Sequence, residues 1–331
     1  MKKRLLAVAA FMLSLNGYAA NDAAWMRYCA ISPDGQQIAF SYKGDIYTVG
    51  INGGRANQIT TNPAHDTHPI WSPNGQQIAF ASDRLGGMDI YIVDKEGGVP
   101  TRITTHSGNE TPLAFKDNGH ILFQANILPA ADDMQFASAQ FPQVYEVSTS
   151  GGRPIMFSSM PMEDISISAD GKTLLYHDKK GYEDNWRKHH TSSITRDVWM
   201  CNLDGERSYK KLSTFHGEDR TPVWANADSY YYLSEQNGSF NVFKSNINGG
   251  NPVQITKHDK HPVRFLTRAN NGTLCYGYDG GIYTLKEGGQ PQKVNINVVT
   301  DKIDRDIIRQ IKSSGATQIA VSAEGKEVAF I

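Results

Sequence analysis

The chain has 331 residues, which is enough for one large repeat domain or two ordinary domains. Hydrophobic residues make up 39% of it, charged residues 20%, and the formal net charge is −1, as in an ordinary globular protein. This balance excludes the basic excess of a nucleic-acid-binding protein and the acidic tail of a solvating one, so no nucleic-acid partner is expected.

The first 20 residues predict a secretory signal peptide. Basic residues 2–4 precede an apolar run over residues 5–15, and cleavage is expected after the small residues Ala19 or Ala20. The alternative, a membrane-spanning helix, is disfavoured because the run is shorter than the roughly 20 residues that cross a bilayer. No cysteine follows the cleavage region, and no later segment is apolar for long enough to span. The protein is therefore expected to be exported, periplasmic or extracellular, without a membrane anchor.

Two nearly identical phrases, SPDGQQIAF at residues 32–40 and SPNGQQIAF at residues 72–80, start 40 positions apart (72 − 32 = 40). Related turn phrases recur along the chain: SPDG at 32–35, SPNG at 72–75, FKDNG at 115–119, SADG at 168–171, WANAD at 224–228, RANNG at 268–272 and SAEG at 322–325. A second turn signal alternates with the first: INGG at 51–54, KEGG at 95–98, TSGG at 149–152, LDGE at 203–206, INGG at 247–250 and KEGG at 286–289. Two alternating turn signals predict a meander of strands.

The segments between these turns, such as QQIAFAS and DIYIVD, are short and rich in Ile, Val, Phe and Tyr, which predicts β-strands. In the first turn, Pro presets φ at one corner and Gly accepts a positive φ. Each copy therefore predicts four antiparallel strands. Four-stranded repeats of roughly 40 to 50 residues are typical of a β-propeller, whereas a sandwich rarely repeats its own turn sequence at a fixed offset.

Six complete units predict an all-β, six-bladed β-propeller over residues 21–298. Closure is expected without a swapped strand, because the first unit begins with an innermost strand (MRYCAIS) and the sixth ends with an outermost one (QKVNINV). A linker is predicted over residues 299–316. The unit restarts at residues 317–331, which predicts the first strands of a second propeller and a longer protein downstream.

The three cysteines, Cys29, Cys201 and Cys275, are far apart and odd in number, so the sequence permits a disulfide between two of them without implying one. Cys201 and Cys275 lie in apolar, strand-like runs, where a free thiol usually behaves as a small buried hydrophobe. Neither has a CxxC partner or a neighbouring His that would indicate redox or nucleophilic chemistry.

The loops that join strands two and three of a blade, or the fourth strand to the next blade, share one face of a propeller. The predicted channel rim on this face consists of His65, His68, His106, His216, Arg220, His258 and His261. Histidines and carboxylates are suitable metal ligands, but repetition alone also produces one contribution per blade, and such side chains close loops by bonding backbone groups. We therefore expect no metal site.

Two predicted loops between strands two and three are long, residues 126–143 in blade 3 and 178–196 in blade 4, and long loops on a rigid scaffold often bind ligands. The second contains the predicted substrate-binding residues Trp186, Arg187, Lys188, His189, His190 and Arg196. This basic cluster is able to hold an anionic group such as a peptide carboxylate; the alternative is a solvated loop with Trp186 packed under the blade. No G-x-S-x-G, H-E-x-x-H, P-loop or CxxC pattern occurs, so no catalytic residue and no cofactor is expected in this chain.

The phrases SPDGQQIAF and WSPNGQQIAFASDRLGGMDIYIVD, together with the basic loop YEDNWRKHHTSSITRDVW, resemble the N-terminal six-bladed propeller of tricorn-type proteases, and the likeness covers residues 25–331. It implies a serine peptidase whose catalytic Ser and His lie in later domains, after a second propeller and a PDZ-like module. It also implies that the propeller filters access and guides peptides. The partners would then be peptides or unfolded polypeptide and the downstream domains of the same chain, with room for a homo-oligomer. By the same likeness, Arg187, Lys188 and Arg196 would hold a substrate C-terminus.

Two other resemblances lead to different functions. The periplasmic propeller of the Tol-Pal system uses similar repeats and would make this chain a protein-interaction module with no enzymatic role. That relative carries an α/β domain before its propeller, whereas blade 1 here begins at Trp25, directly after the leader. Prolyl oligopeptidase-like hydrolases also use such repeats, but they usually have seven or eight blades.

Overall fold

The computed structural model describes residues 24–127, 141–181, 192–299, 315 and 317–330. The chain divides into two units, residues 1–298 and 299–331. The predicted signal peptide and most of the predicted linker lie outside the described residues. Within the described ranges, no helix has the length and apolarity needed to cross a membrane.

The described part of the first unit contains six four-stranded antiparallel sheets, each a blade whose strands follow one another in chain order. Blade 1 consists of β1 (Arg27–Ile31), β2 (Gln37–Tyr42), β3 (Asp45–Gly50) and β5 (Asn57–Gln58), with β4 (Gly54–Arg55) before the last. Blade 2 consists of β6 (Asp66–Trp71), β7 (Gln77–Leu85), β8 (Gly87–Asp94) and β9 (Thr101–Arg102), and blade 3 of β10 (Thr111–Asp117), β11 (His120–Ala125), β12 (Gln143–Ser148) and β13 (Ile155–Ser158).

Blade 4 consists of β14 (Met162–Ile167), β15 (Thr173–Asp178), β16 (Val198–Asn202) and β17 (Ser208–Lys211). Blade 5 consists of β18 (Asp219–Trp224), β19 (Ser229–Ser234), β20 (Asn241–Asn246) and β21 (Val253–Gln254), and blade 6 of β22 (Arg264–Arg268), β23 (Leu274–Tyr278), β24 (Gly281–Leu285) and β25 (Gln292–Lys293). The all-β, six-bladed propeller predicted from the repeats is confirmed.

The repeated Ser-Pro-Asp-Gly turn is held by its own side chains. The Oγ of Ser32 donates to Oδ1 of Asp34 (2.6 Å), which also accepts the backbone N–H of Gln36 (3.0 Å). Gly35 has a φ of 72°, which a glycine adopts without steric cost. The same bonds recur at Ser72 and Ser168, so the copied phrase is a structural signal for the first hairpin of a blade.

The hydrophobic core of the propeller lies between the blades. Among the described residues, six apolar clusters each combine two neighbouring blades, including blades 6 and 1. Between blades 1 and 2, for example, Ile78 and Phe80 of β7 are fully buried together with Ile46 of β3. Burying such a side chain stabilises the fold by about 1.5–3 kcal/mol. Each blade therefore obtains most of its stability from its two neighbours.

The ring closes between blade 6 and blade 1. After blade 6, β26 (Ile296–Asn297) pairs in parallel with β4 of blade 1, and the N–H of Gly54 donates to the carbonyl of Asn295 (2.8 Å). Each blade is completed by its own strands, so the prediction of closure without a swapped strand is confirmed. The β4–β26 pair is a separate crossing between the two blades. The crossing occurs because Val294 and Ile296 are buried in the cluster that blades 6 and 1 share, which draws the chain over the boundary.

The second unit contains a hairpin of β27 (Ile319–Val321) and β28 (Val328–Phe330), joined by another copy of the first turn. Val328 and Phe330 are 57% and 61% exposed, whereas Ile78 and Phe80 at the same places of blade 2 are 0% exposed. The hairpin thus leaves uncovered the positions that a blade buries against its neighbour. The second propeller stays a prediction.

At the boundary between blades 6 and 1, one glycine should tolerate substitution by alanine less well than the equivalent glycine of another blade. Gly53 and Gly249 occupy the same turn of blades 1 and 5 with φ values of 82° and 96°. A Cβ at Gly53 would lie 2.4 Å from the carbonyl oxygen of Asn295, whereas a Cβ at Gly249 meets no heavy atom within 4 Å. Both alanine variants should lose about 1 kcal/mol to the left-handed backbone. Gly53→Ala should lose at least about 2 kcal/mol more, because β4 and β26 must separate. Urea unfolding measures both, and equal losses would contradict this account of closure.

Candidate functional site

A cavity of about 600 Å³ lies on the axis of the propeller, and residues from the innermost strands of all six blades line it. These strands are β1, β6, β10, β14, β18 and β22. Their polar and apolar side chains both reach the cavity, which fits a binding channel better than a packed core.

Each innermost strand departs from regular pairing with its neighbour in the blade. One equivalent position of these strands, three or four residues before the first turn phrase, carries the residues that we name the collar: Tyr28, His68, Pro112, Asp164, Thr221 and Phe265. All six line the cavity. Five have φ between 50° and 58°, and Pro112 is the exception because its ring fixes a negative φ. A bulge with a left-handed residue redirects a side chain, here towards the channel.

The left-handed backbone of the collar is a strained arrangement. A non-glycine residue with positive φ costs on the order of 1–3 kcal/mol, and such residues persist only where the surrounding structure holds them. In this propeller the strain is repeated at the same position of five blades, all around one cavity. The repetition indicates that the direction of these side chains matters for the cavity.

One side of the collar is aromatic. The ring of Tyr28 lies with its centroid 3.6 Å from that of His68 and 4.9 Å from that of Phe265, so three side chains from blades 6, 1 and 2 form one surface. Burial lowers the pKa of His68 to about 4, which keeps its imidazole uncharged at neutral pH. We call these three residues the aromatic sector.

The opposite side of the collar is polar. Thr221 of blade 5 donates its hydroxyl to Oδ2 of Asp164 in blade 4 (2.6 Å) and its backbone N–H to Nδ1 of His177 (3.3 Å). Because Nδ1 of His177 accepts this bond, Nε2 is the donor to Oε2 of Glu163, 3.1 Å away. Asp164 and Thr221, with Glu163 and His177 beside them, form the polar sector.

Buried ion pairs join the polar sector to the next blade. The Nε of Arg196 lies 3.3 Å from Oε2 of Glu163, and its Nη1 lies 2.9 Å from Oε1 of Glu218. The Nη1 of Arg220 lies 3.4 Å from the same oxygen of Glu218. The side chains of Arg196 and Glu218 are only 3% and 1% exposed. Because these side chains are almost completely removed from water, each buried charge is stabilised only by its ion-pair and hydrogen-bond partners.

The pKa of Glu163 shows how strongly these charges are coupled. Burial alone would raise it, but the hydrogen bond from His177 and the positive charges of Lys179 and Arg196 outweigh burial and hold the pKa well below its usual range. Glu163 is therefore a carboxylate at neutral pH. It ties the start of β14 to the loop before β16.

Residues 23–291 match the family of the tricorn protease N-terminal beta propeller domain. The chain belongs to this family. The protein Tricorn protease homolog 1 of Streptomyces coelicolor is 22% identical over 275 residues, which are 82% of this chain and 25% of that protein. This tricorn-type propeller thus spans about a quarter of the length of that relative.

Two solved structures show the same fold. The crystal structure of the tricorn protease has a TM-score of 0.69 with 18% identity, over 93% of this chain and 29% of that one. The putative TolB from Agrobacterium tumefaciens has a TM-score of 0.55 with 16% identity, over 70% of this chain and 80% of that one. At these identities the likeness concerns the propeller fold.

Three of the residues predicted from the sequence line the cavity of this tricorn-type propeller: His68, Arg196 and Arg220. The other predicted rim residues, which are His65, His106, His216, His258 and His261, are not among its lining residues. They sit on loops outside the innermost strands and contact their surroundings. His106, for example, accepts the N–H of Gly108 at Nδ1 (2.9 Å), and His258 stacks on Tyr278 at 3.9 Å.

The predicted substrate-binding residues Trp186, Arg187, Lys188, His189 and His190 lie outside the described residues. Arg196, from the same loop, is held by two carboxylates, so a substrate carboxylate would meet it only by exchange of those ion pairs. In the described ranges, no group of three or more His, Cys, Asp or Glu side chains is arranged to hold a metal ion.

Sequence reasoning missed most of the collar and the acids behind it. Tyr28, Asp164 and Phe265 were not singled out, and neither were Glu163 and His177. A signal was present for the collar, since its members stand at a fixed offset from the repeated turn phrases. Tyr28, His68 and Asp164 stand four residues before the Ser of the phrase, and Pro112, Thr221 and Phe265 stand three residues before the first residue of the longer phrases. No comparable signal marks the ion pairs of Arg196, whose partners Glu163 and Glu218 are 33 and 22 positions away in the chain.

The buried ion pairs should be important for stability. Arg196→Met leaves Glu163 and Glu218 without their shared partner, and the free energy of unfolding should fall by about 3–5 kcal/mol. Lys172→Met is the control, since it removes an exposed pair with Asp204 whose side chains are 61% and 65% exposed. The control should change stability by less than about 0.5 kcal/mol in urea unfolding. A loss below 1 kcal/mol for Arg196→Met would contradict the account of this network.

A second carboxyl beside the channel wall should make stability fall as pH rises. Burial raises the pKa of Asp219 to about 7, so the folded chain retains this proton after the unfolded chain has lost it at about 4. The stabilisation is present below pH 4 and is lost as pH rises through 7. Asp219→Asn should therefore gain stability relative to the native chain over this window, by up to about 4 kcal/mol.

The pH test has a control of opposite sign. Hydrogen bonds from Ser32 and Gln36 lower the pKa of Asp34, so its contribution is present above the unfolded pKa and disappears in acid. Asp34→Asn should lose stability relative to the native chain as pH rises from 3 to 6. Unfolding curves across pH 3–8 measure both variants, and parallel pH profiles for the two would refute the assignment.

Proposed function

We propose that this chain is the non-catalytic, substrate-gating propeller of a tricorn-like serine peptidase, where it guides peptides along its axis. The observation that carries the proposal is the collar, in which all six blades direct a side chain at one cavity. Membership of the tricorn N-terminal propeller family supports it. The catalytic residues would lie in later parts of the protein, since the chain spans about a quarter of its relative.

The dimensions of the channel suit an extended polypeptide. The innermost strands have five to seven residues, which at about 3.3 Å per residue corresponds to roughly 17–23 Å of extended chain. A cavity of about 600 Å³ is far too small for a folded domain. An unfolded or short peptide would therefore be admitted, and a folded protein would be excluded.

The two sectors would contact different side chains of the same peptide. Successive side chains of an extended chain point in opposite directions. A peptide on the axis would present one set of side chains to the aromatic sector around Tyr28 and the other set to the polar sector around Asp164. Apolar contact and hydrogen bonding would thus act together. Because ion pairs hold the polar wall in place, little ordering of the protein would be needed on binding.

We also propose roles for the leader, the basic loop and the C-terminal hairpin. The leader at residues 1–20 would export the protein to the periplasm or the extracellular space. Arg187 and Lys188 of the basic loop would hold the carboxylate of a peptide. Residues 317–331 would begin a second propeller of the same protein, and homo-oligomers are compatible with this arrangement.

A reversible plug in the channel tests the proposal. Ala169 lines the cavity and lies in the first turn of blade 4, and Ala323 occupies the same place in the turn of the second unit. The native cysteines are buried, so a cysteine introduced at either position reacts selectively. A bulky methanethiosulfonate reagent attached to Ala169→Cys in the full-length protein should lower peptide turnover at least tenfold, and dithiothreitol should restore it.

A control variant distinguishes blockage of the channel from other effects of the label. The same label on Ala323→Cys should leave turnover unchanged. A labelled Ala169→Cys protein that hydrolyses peptides at the native rate would overturn the guiding role of the channel. A full-length protein without any peptide hydrolysis would overturn the peptidase assignment and favour an interaction propeller like that of the Tol-Pal system.

A further inference from the structure

Two of the three cysteines meet at the boundary that closes the ring. Cys29 lies in β1 of blade 1 and Cys275 in β23 of blade 6, 246 positions later (275 − 29 = 246). They are 2% and 0% exposed and belong to the same apolar cluster. Cα atoms of the two strands approach within 8 Å of each other.

The two thiols are neighbours in this cluster. The Cys29 side chain is near enough to act on the pKa of the Cys275 thiol, and the Sγ of Cys29 donates to the carbonyl oxygen of Phe265 at 3.5 Å. Burial, together with the contact to Cys29, raises the pKa of the Cys275 thiol. Cys201 belongs to a different cluster, between blades 3 and 4, and is equally buried.

The two cysteines lie at the boundary where the ring of blades closes. Blades 1 to 6 are joined in sequence by the chain itself, whereas blades 6 and 1 are joined by packing, by the short β4–β26 pair and by backbone bonds such as that from Met26 N–H to the carbonyl of Gly280 (3.2 Å). Opening of the ring would begin where the fewest interactions must break. A covalent bond here would oppose that opening directly.

We propose that Cys29 and Cys275 are a modification site, and that they form a disulfide bond that closes the propeller when the chain folds with a small disulfide oxidant such as oxidised glutathione. One protein thiolate attacks a sulfur of the oxidant and releases one glutathione thiolate. The second protein thiolate then displaces the remaining glutathione and forms the protein disulfide. The two protein thiols lose two protons and two electrons, and two glutathione thiols are produced.

The reaction takes place before the ring is complete, because both sulfurs are buried in the finished propeller. Once formed, the bond is protected from reductants by the same burial. It restricts the unfolded chain over almost the whole propeller, and disulfides that close long loops give the larger stabilisation. The predicted leader would deliver the chain to a compartment in which such bonds persist. This inference does not depend on the proposed function.

The test is a refolding experiment on the 331-residue chain. The reduced protein is unfolded in urea and refolded with reduced and oxidised glutathione, and the free thiols are then alkylated in denaturant without reductant. Intact mass should show one alkylated cysteine, and peptide mapping should show Cys29 linked to Cys275. The oxidised protein should melt about 5–10 °C above the reduced one.

Matched variants make the result unambiguous. Cys201→Ser should still form the bond and keep the rise in melting temperature, whereas Cys29→Ser and Cys275→Ser should lose both. Three alkylated cysteines in the refolded native chain would overturn the proposal, and so would a bond to Cys201 or a disulfide without any rise in melting temperature.

Discussion

The structure depends on the burial of blade faces against neighbouring blades. A four-stranded twisted sheet has two faces, and here both are apolar, so no blade is stable without a blade on either side. The six clusters satisfy this requirement only because the last one joins blade 6 to blade 1. Closure of the ring is therefore a condition for the stability of every blade. The crossing strand β26 and the buried thiols of Cys29 and Cys275 both lie where this condition is met.

The same constraint creates the channel. Six sheets arranged around an axis place their innermost strands side by side, and the space between these strands is wide enough to hold side chains and a ligand. The collar uses strained backbone at His68 and its equivalents to direct side chains inwards. The rigid blades hold these residues in the strained conformation. Aromatic contacts on one side and the ion pairs of Arg196 on the other then give a channel with two chemically different walls.

The sequence predicted the fold well because the turns are local. Pro33 and Gly35 act within four residues of each other, so the number of blades follows from counting the turns. The collar is different, since nothing in Tyr28 or its neighbours indicates a positive φ, which the pairing of β1 with β2 imposes. The pair of Arg196 with Glu218 joins residues 22 positions apart in blades 4 and 5 and exists only after these blades assemble. For the rim, the repeat pattern carries no information on how far each loop lies from the axis, and of the predicted set His68 and Arg220 line the cavity.

The central claim, that peptides occupy the channel along its axis, is tested most directly by photocrosslinking. Benzoylphenylalanine would replace Phe265 in the collar or, as the control, Tyr209, which is 39% exposed on the outermost strand of blade 4. Both variants are irradiated with an unstructured peptide and analysed by mass spectrometry. The account predicts that the peptide is captured at position 265 and not at position 209. Capture at position 209 alone, or equal capture at both positions, would contradict it.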